Sequence, residues 1–549
     1  MVVGVTGHRN LRPDEIPHLR SEIRRFFLTL QKDFPELPIT LLSPLAAGAD
    51  QLVTSVAMDM GIRVIAILPI PAEMYLHDFD DEASLAEFQR QLAQSEHLEI
   101  TLRSNGDDAS KAGPARNLQY AHAGIFTSSH CHILLALWDG KENGYLGGTA
   151  QVVSFHLHGS MPGAIDRRQA AMGTLGLDEE ALVYHIPAGR QNHPLENVDS
   201  GKWLTAGETS RYYDEMPPPF RIMFSRQAEY HHDLRQYKEQ IIHDIHDTHP
   251  DCPIHRQFMV TDWLATTYRR RVSRVLMATY LIAAFMGYAF ILYADIMAQD
   301  LIIYCFLLFF LIGIGLNSVA GRREWHRQYI DYRALAEGLR VQSYWRRAGI
   351  VDTSRPSFAH DNFLQKQDVE LGWIRNVMRG ASLEGMLIPS PAGPAEVKNV
   401  IREWIGDSQS PGQLAYYEST SNKRARHHRR NEWLANSCLW LGIGISALLA
   451  VFAQALEGQA QNLLVATMGV LSVTAAVHEA YAYKKADKEL IKQYRYMARI
   501  FGAAKRRLQI GHSVEQQQQI LRTLGEAALA EHAEWTLMHR ERPLESSKI

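Results

Sequence analysis

Cysteine is scarce in this chain. Four occur in 549 residues, Cys131, Cys252, Cys305 and Cys438, and no two stand near each other in sequence. That spacing excludes a thiolate zinc site and a disulfide framework, and it suits a reducing compartment. An excess of one charge is also missing. Lys and Arg number 57 against 60 Asp and Glu, a formal net charge of −3. Without a basic excess, no nucleic-acid partner is expected. The first residues, MVVGVTGHRN, lack the basic start and apolar core of a secretory signal. Any membrane segment is therefore expected to insert from within the chain. Mean hydropathy is −0.21 although 46% of residues are hydrophobic, so membrane segments must be confined to short windows. The length calls for about three domains.

Two such windows adjoin each other. Residues 275–297 read VLMATYLIAAFMGYAFILYADIM, and residues 301–320 read LIIYCFLLFFLIGIGLNSVA. Each arm is roughly 20 residues, enough to cross a ~30 Å hydrocarbon layer as a helix. The break between them carries Asp295, Gln299 and Asp300. The outer flanks carry Arg269, Arg270, Arg271 and Arg274 on one side and Arg322 and Arg323 on the other. Basic flanks stay cytoplasmic, so a transmembrane hairpin with both ends in the cytoplasm is expected. The competing reading is a helical hairpin buried in a large soluble core.

The N-terminal part alternates short apolar runs with helical stretches. The runs at 1–5, 39–42, 63–69 and 131–138 read as buried strands, each followed by a turn and a helix. This predicts a Rossmann-like α/β domain over residues 1–160 with a parallel sheet. Polar and glycine residues fall at the C-terminal strand ends, where open α/β sheets bind ligands. The candidates are Thr6, Gly7, His8 and Arg9; Ser43, Gly48, Ala49 and Asp50; Trp138 and Asp139; and Gly147, Gly148 and Thr149. Glycines admit close backbone approach, and helix N-termini offer N–H groups to phosphate. Arg9 is then placed to pair with phosphate, Asp50 with a ribose hydroxyl and Trp138 with a base. Taken singly, a Gly-Gly-Thr turn is as readily a helix start, and Trp138 a core residue. Residues 161–225 read as a loop-rich extension. The His243-Asp244-Ile245-His246 run reads as a solvated helix face rather than a metal site.

The segments GVTGHR, SPLAAGAD and ALWDG…GGT, with LPIPAEMYLHDF at 68–79, resemble the SLOG superfamily over about residues 1–160. That group is Rossmann-like and includes nucleotide hydrolases and nucleotide sensors. The resemblance implies a nucleotide or nucleotide-derived ligand at these turns. Its enzymatic branch carries a PGGxGTxxE motif, whose glutamate acts in cleaving an N-glycosidic bond. Here the turn reads GYLGGTAQVV, with Gln151 and Val152 where the acid is expected. Sensing rather than catalysis is therefore expected, with no catalytic residue, no metal and no resident cofactor. The ligand is expected to be a nucleotide second messenger of cyclic or ADP-ribose type.

The C-terminal half reads as one unit twice, over residues 226–350 and 423–549, joined by a connector at 351–422 with a helix around 368–378. A basic run at 423–430 leads into arms at 434–456 and 462–479, with a short loop starting at Glu457. Lys484, Lys485 and Lys488 follow. The exit helix repeats too: Tyr332-Arg333-Ala334-Leu335-Ala336 beside Tyr494-Arg495-Tyr496-Met497-Ala498. Both repeats put their ends on one side, which predicts a multi-pass inner-membrane chain with four transmembrane helices and cytoplasmic termini. The tandem pairs and the YRALAEGLRVQSYW stretch resemble the SLATT two-transmembrane effectors of prokaryotic conflict systems. That resemblance implies pore formation or membrane disruption after a nucleotide signal. Gly313, Gly315, Gly442 and Gly444 are candidates for close helix contact, and Asn317, Thr467, Ser472 and Thr474 for a pore lining or for plain packing.

The expected function is a homo-oligomeric membrane effector of antiviral defence, gated by a nucleotide. The alternatives are a membrane-anchored nucleotide hydrolase, for which Glu73, Asp78 and Asp139 are the acids at hand, and a membrane scaffold for a protein partner.

Overall fold

The computed structural model describes residues 1–101, 113–141, 145–166, 181–191, 195, 199–206, 211–246, 249–350, 363–364, 369–389, 393–452, 454–456, 458–485, 487–510 and 513–540. It divides into two compact units: Met1–Val260 with Leu335–Glu396, and Thr261–Ala334 with Val397–Ile549.

The first unit is built on an eight-stranded sheet. Its strands are β1 (Val2–Gly7), β2 (Thr40–Ser43), β3 (Arg63–Leu68), β4 (Glu96–Glu99), β5 (Ile133–Trp138), β8 (Leu182–Pro187), β9 (Lys202–Thr205) and β10 (Arg211–Tyr213). A separate two-residue ribbon pairs β6 (Ser160–Met161) with β7 (Ile165–Asp166). The order across the sheet is β10-β9-β8-β5-β1-β2-β3-β4. Six strands from β8 to β4 are parallel, β9 is reversed against β8, and β10, antiparallel to β9, returns to the common direction. The sheet is therefore mixed, which corrects the expectation of a parallel one. Connection length accounts for the antiparallel pairing of β9 with β10. A parallel crossover needs a dozen or more residues, usually with a helix, and the 206–210 link is far too short. These three strands come from the 161–225 stretch that reads as loop in sequence.

Helices cover the sheet because its strands are apolar on both faces. Val3, Leu41, Leu42, Ile65, Leu134 and Leu135 are all fully buried. α1 (Ile16–Asp33) buries Leu19, Ile23, Phe26, Phe27 and Leu30, and the Phe26 ring stacks on Tyr184 of β8 at 4.6 Å. The other helices here are α2 (Ala49–Asp59), α3 (Ala72–Tyr75), α4 (Glu82–Ala93), α5 (Pro114–His130), α6 (Thr149–His158), α7 (Pro218–Gln236) and α8 (Lys238–Asp244). The connector is folded onto this unit. Beyond α9 (Pro253–Ile291), α10 (Asp300–Arg323) and α11 (Trp325–Arg347), α12 (Gly372–Leu387) packs its Trp373, Ile374 and Met378 fully inside. Buried His132 joins the two: its Nδ1 accepts the Val2 N–H at 3.1 Å, and its Nε2–H donates to the Asn376 carbonyl at 2.9 Å. Asp368, the expected start of the connector helix, lies outside the described residues.

The second unit holds four helices long and apolar enough to cross a membrane. α9 runs on as a π turn, Leu292–Ile296, before α10 begins at Asp300. The second pair is α14 (Gln413–Phe452) and α15 (Gly458–Lys484), following α13 (Pro394–Trp404). α16 (Asp487–Leu508) and α17 (Val514–Arg540) complete the unit. Glu457 lies outside the described residues. The helix order repeats: lengths of 39, 24 and 23 residues for α9 to α11, and 40, 27 and 22 for α14 to α16. The break between α10 and α11 is one residue, Glu324, at φ 47°.

The most apolar stretches of these helices hold almost no buried residues, their side chains being half-buried or exposed. Their closest contacts are not at the expected glycines. A Cβ at Gly287 of α9 would come within 2.6 Å of Val473 of α15, and one at Gly469 within 3.1 Å of Ile291. Tyr288 and Thr474 hydroxyls bond across the same pair at 2.9 Å. Gly315, Gly442 and Gly444 face open space. The hydroxyls of Thr467, Ser472 and Thr474 each donate to a carbonyl one turn back on their own helix.

Candidate functional site

β1 lies between β5 and β2, and the strand order runs outward from it in both directions. Such a reversal opens a crevice beyond the C-terminal ends of the two central strands. The residues just after β1 and β5 meet there. His8 Nε2 accepts the Asp139 N–H at 3.0 Å, and the same nitrogen lies 3.2 Å from Asp139 Oδ1. Arg190 reaches both, with its Nε 3.3 Å from His8 Nε2 and its Nη2 3.0 Å from Asp139 Oδ2. Burial lowers the His8 pKa, with Asp139 opposing and Arg190 adding to the shift. A neutral ring that accepts at Nε2 carries its proton on Nδ1. Burial alone would raise the Asp139 carboxyl. The Lys141 N–H, His8 and Arg190 together hold it below its ordinary value.

The β2 turn docks on the β1 turn. Ala49 N–H donates to the His8 carbonyl at 3.0 Å. Gly48 sits at φ 86°, where a Cβ would lie 2.1 Å from the Arg9 carbonyl oxygen. Only glycine fits that backbone approach. Gly7 is crowded in the same way, by Ala49 and Leu137. Thr6 is buried inside β1. Ser43 is fully buried, and its Oγ accepts from Leu45 N–H and Thr54 Oγ1–H, so it braces the turn from within.

Asp50 opens α2, and its side chain is buried. Burial pushes its carboxyl up to about 7, against the pull of Arg9 and a backbone hydrogen bond at Ala46. Its Oδ1 has no hydrogen-bond partner among the described residues. Arg9 is exposed, with its guanidinium 5.0 Å over the Tyr120 ring. The hydroxyls of Tyr120 and of fully buried Tyr75 are likewise without partners among the described residues. Arg116 closes this flank by pairing with Asp78 at 2.6 Å and donating to the Met74 carbonyl.

The third turn approaches through α5. A Cβ at Gly147 would lie 2.8 Å from the Ala121 nitrogen, next to Tyr120. Gly147 N–H donates to Gln151 Oε1 at 3.0 Å, so the residue standing where an acid is expected folds back onto the glycine turn. Gly148 caps α6, and Thr149 begins it. Trp138 is half-buried at the end of β5, its ring 5.5 Å from His185 and its Nε1 without a partner among the described residues.

Direct contact thus joins His8, Arg9, Gly48, Ala49 and Asp139, while Ser43 and Thr6 stay inside. Arg190, Tyr75, Tyr120 and Arg116 were not singled out from sequence. Arg190 had a usable signal: the run Ile186-Pro187-Ala188-Gly189-Arg190 ends a strand in glycine and arginine, as Gly7-His8-Arg9 does. Chemically, the exposed Arg9 guanidinium can receive a phosphate, while Asp50 Oδ1 beside it is shut from solvent and without a hydrogen-bond partner among the described residues. No group of three His, Cys, Asp or Glu placed to hold a metal occurs among the described residues. None of the four cysteines is joined to another by a disulfide. Comparison with protein-family models and with curated proteins yields no match.

Proposed function

We propose that this chain is a nucleotide-gated membrane effector of prokaryotic antiviral defence. The α/β unit takes a nucleotide-derived second messenger at the β1–β5 crevice, as a SLOG-like sensor. The four apolar helices lie in the inner membrane with both ends cytoplasmic, as tandem SLATT-like hairpins. Ligand binding favours a homo-oligomeric assembly that opens or disrupts the bilayer. The observation that carries this reading is the pairing, in one chain, of an exposed Arg9 beside the strand-end turns with four helices long and apolar enough to cross a membrane. A messenger shifts the balance only by binding the active assembly more tightly than the resting one. The test is dye release from liposomes carrying the full chain, against a panel of cyclic and ADP-ribose-type nucleotides. Release is expected with at least one ligand and is expected to vanish in Arg9→Gln. Silence toward the whole panel overturns the reading.

A membrane-anchored nucleotide hydrolase is the second reading. It is favoured by one observation, the Asp50 carboxyl at about 7, which suits a general acid. Release of free base or sugar phosphate from the same panel separates the two.

A further inference from the structure

The second unit holds a cavity of about 680 Å³ that none of the foregoing uses. Its cations come from three helices and their ends: Arg269, Arg270 and Arg274 from α9, Lys423 and Arg424 from α14, and Lys484 with the following Lys485 from the end of α15. No Asp or Glu lines it among the described residues. Three carboxylates of the same unit have partners outside the lining. Asp262 pairs with Arg333 at 2.6 Å, Asp331 with Arg540 at 2.9 Å, and Glu432 with Lys488 at 3.3 Å. Two like charges 8 Å apart repel by about 2 kcal/mol at an effective dielectric of 20. Seven gathered round one cavity are therefore set to receive an anion.

The place of these residues in the chain narrows the anion. Arg269 and Arg274 precede the first apolar arm, and Lys423 and Arg424 precede the third. His326, which also lines the cavity, follows the second arm, and Lys484 and Lys485 follow the fourth. The cavity thus gathers the same end of all four arms. Leu276, beyond Arg274 toward the first arm, lines it as well, and Val272 stands among the arginines. Its wall thus combines cations with apolar side chains, as a phospholipid combines headgroup and chain. Basic pockets between membrane helices on the cytoplasmic side recognise anionic headgroups in this way.

We infer that this cavity is a phosphate-binding site at the bilayer boundary, shaped for the headgroup of an anionic phospholipid. The same cations serve a free polyphosphate, so the experiment carries both. This inference rests on the four helices spanning a membrane, and carbonate extraction of membranes scores that separately. The purified full chain in phosphatidylcholine nanodiscs is titrated with dioctanoyl phosphatidic acid in one arm and sodium tripolyphosphate in the other. Binding is expected in the lipid arm and is expected to weaken with added salt. Each of Arg269→Gln, Lys423→Gln and Lys485→Gln is expected to weaken it about fivefold. Arg402→Gln, outside the cavity, is expected to leave binding unchanged. Should a single glutamine variant lose its cooperative thermal transition, the lysine-for-arginine variant Arg269→Lys, expected to bind, replaces it. Binding of tripolyphosphate alone keeps the phosphate site and overturns the headgroup as its occupant. Binding of neither, or binding indifferent to all three variants, overturns the inference while leaving a carbonate-resistant chain as a membrane protein.

Discussion

β5 and α10 are both nearly unbroken apolar runs, yet they treat solvent in opposite ways. Ile133 to Leu137 are fully buried, whereas Leu307, Leu308 and Leu311 of α10 are exposed. The difference lies in run length and partners. A six-residue strand is covered on both faces by helices whose apolar stripes need the same shelter. A 24-residue helix that is apolar all round has no opposite polar face to turn outward. It needs an apolar surrounding of its own, which a bilayer supplies. Glycine follows the same division. Gly7 and Gly48 sit where no side chain fits, while Gly442 and Gly444 meet open space.

This contrast can be broken by substitution. The largest effect is expected inside the helical unit, at a buried ion pair. Asp331 is fully buried between Arg540 at 2.9 Å and Arg327 at 3.3 Å. Asp331→Ala takes this buried carboxylate from Arg540, while Arg327 keeps Glu324 at 2.9 Å, and is expected to destabilise that unit by about 3–5 kcal/mol, read from chemical denaturation.

Next comes Asp50 in the sheet unit. Its folded pKa, about 7, lies above its ordinary 3.8. Below 3.8 the carboxyl is protonated in folded and unfolded chains alike. Between 3.8 and 7 the folded state holds the proton more tightly, so stability falls as pH rises through that window. The fall is at most about 4 kcal/mol. Asp50→Asn is expected to flatten that part of the pH profile of the thermal midpoint. A profile that stays steep removes Asp50 as its cause.

Leu311→Arg addresses the exposed arms directly. In water an exposed leucine tolerates arginine, but near the middle of a bilayer the change costs about 2.5–3.5 kcal/mol. A loss of carbonate-resistant membrane association is expected. Full retention would place α10 outside the hydrocarbon. The smallest effect is the glycine pair. Gly48→Ala forces a Cβ toward the Arg9 carbonyl and is expected to lose about 1–3 kcal/mol. Gly444→Ala is expected to stay within about 1 kcal/mol and to lean toward stabilisation.

Much of this architecture is legible in the residue order. Four of the six parallel strands, β1, β2, β3 and β5, announce themselves as short apolar runs that run into glycine or proline, and the arms by their length and basic ends; β4, reading Glu-His-Leu-Glu, does not. The turns at His8, Gly48 and Asp139 are legible for the same reason, since a strand end that stops at glycine beside a charge has few structural uses. What escapes is what depends on partners distant in sequence. The strand Leu182–Pro187 hides among prolines, so Arg190 was not connected to Asp139, although the two form an ion pair. α12 reads as part of a linker, because nothing local reveals that His132 will hold its Asn376 carbonyl.

The sequence by itself determined four of the central strands, which helices are apolar throughout, and that their ends carry basic residues. Hydrophobic periodicity and run length are local properties, and a chain carries them before it folds. Only the tertiary structure decided that β9 turns back antiparallel between β8 and β10, that Ser43 braces its turn from inside while Arg9 stays open, and that cations from separate helices close round one cavity. Those outcomes rest on packing between residues tens to hundreds of positions apart, and no local pattern encodes that geometry.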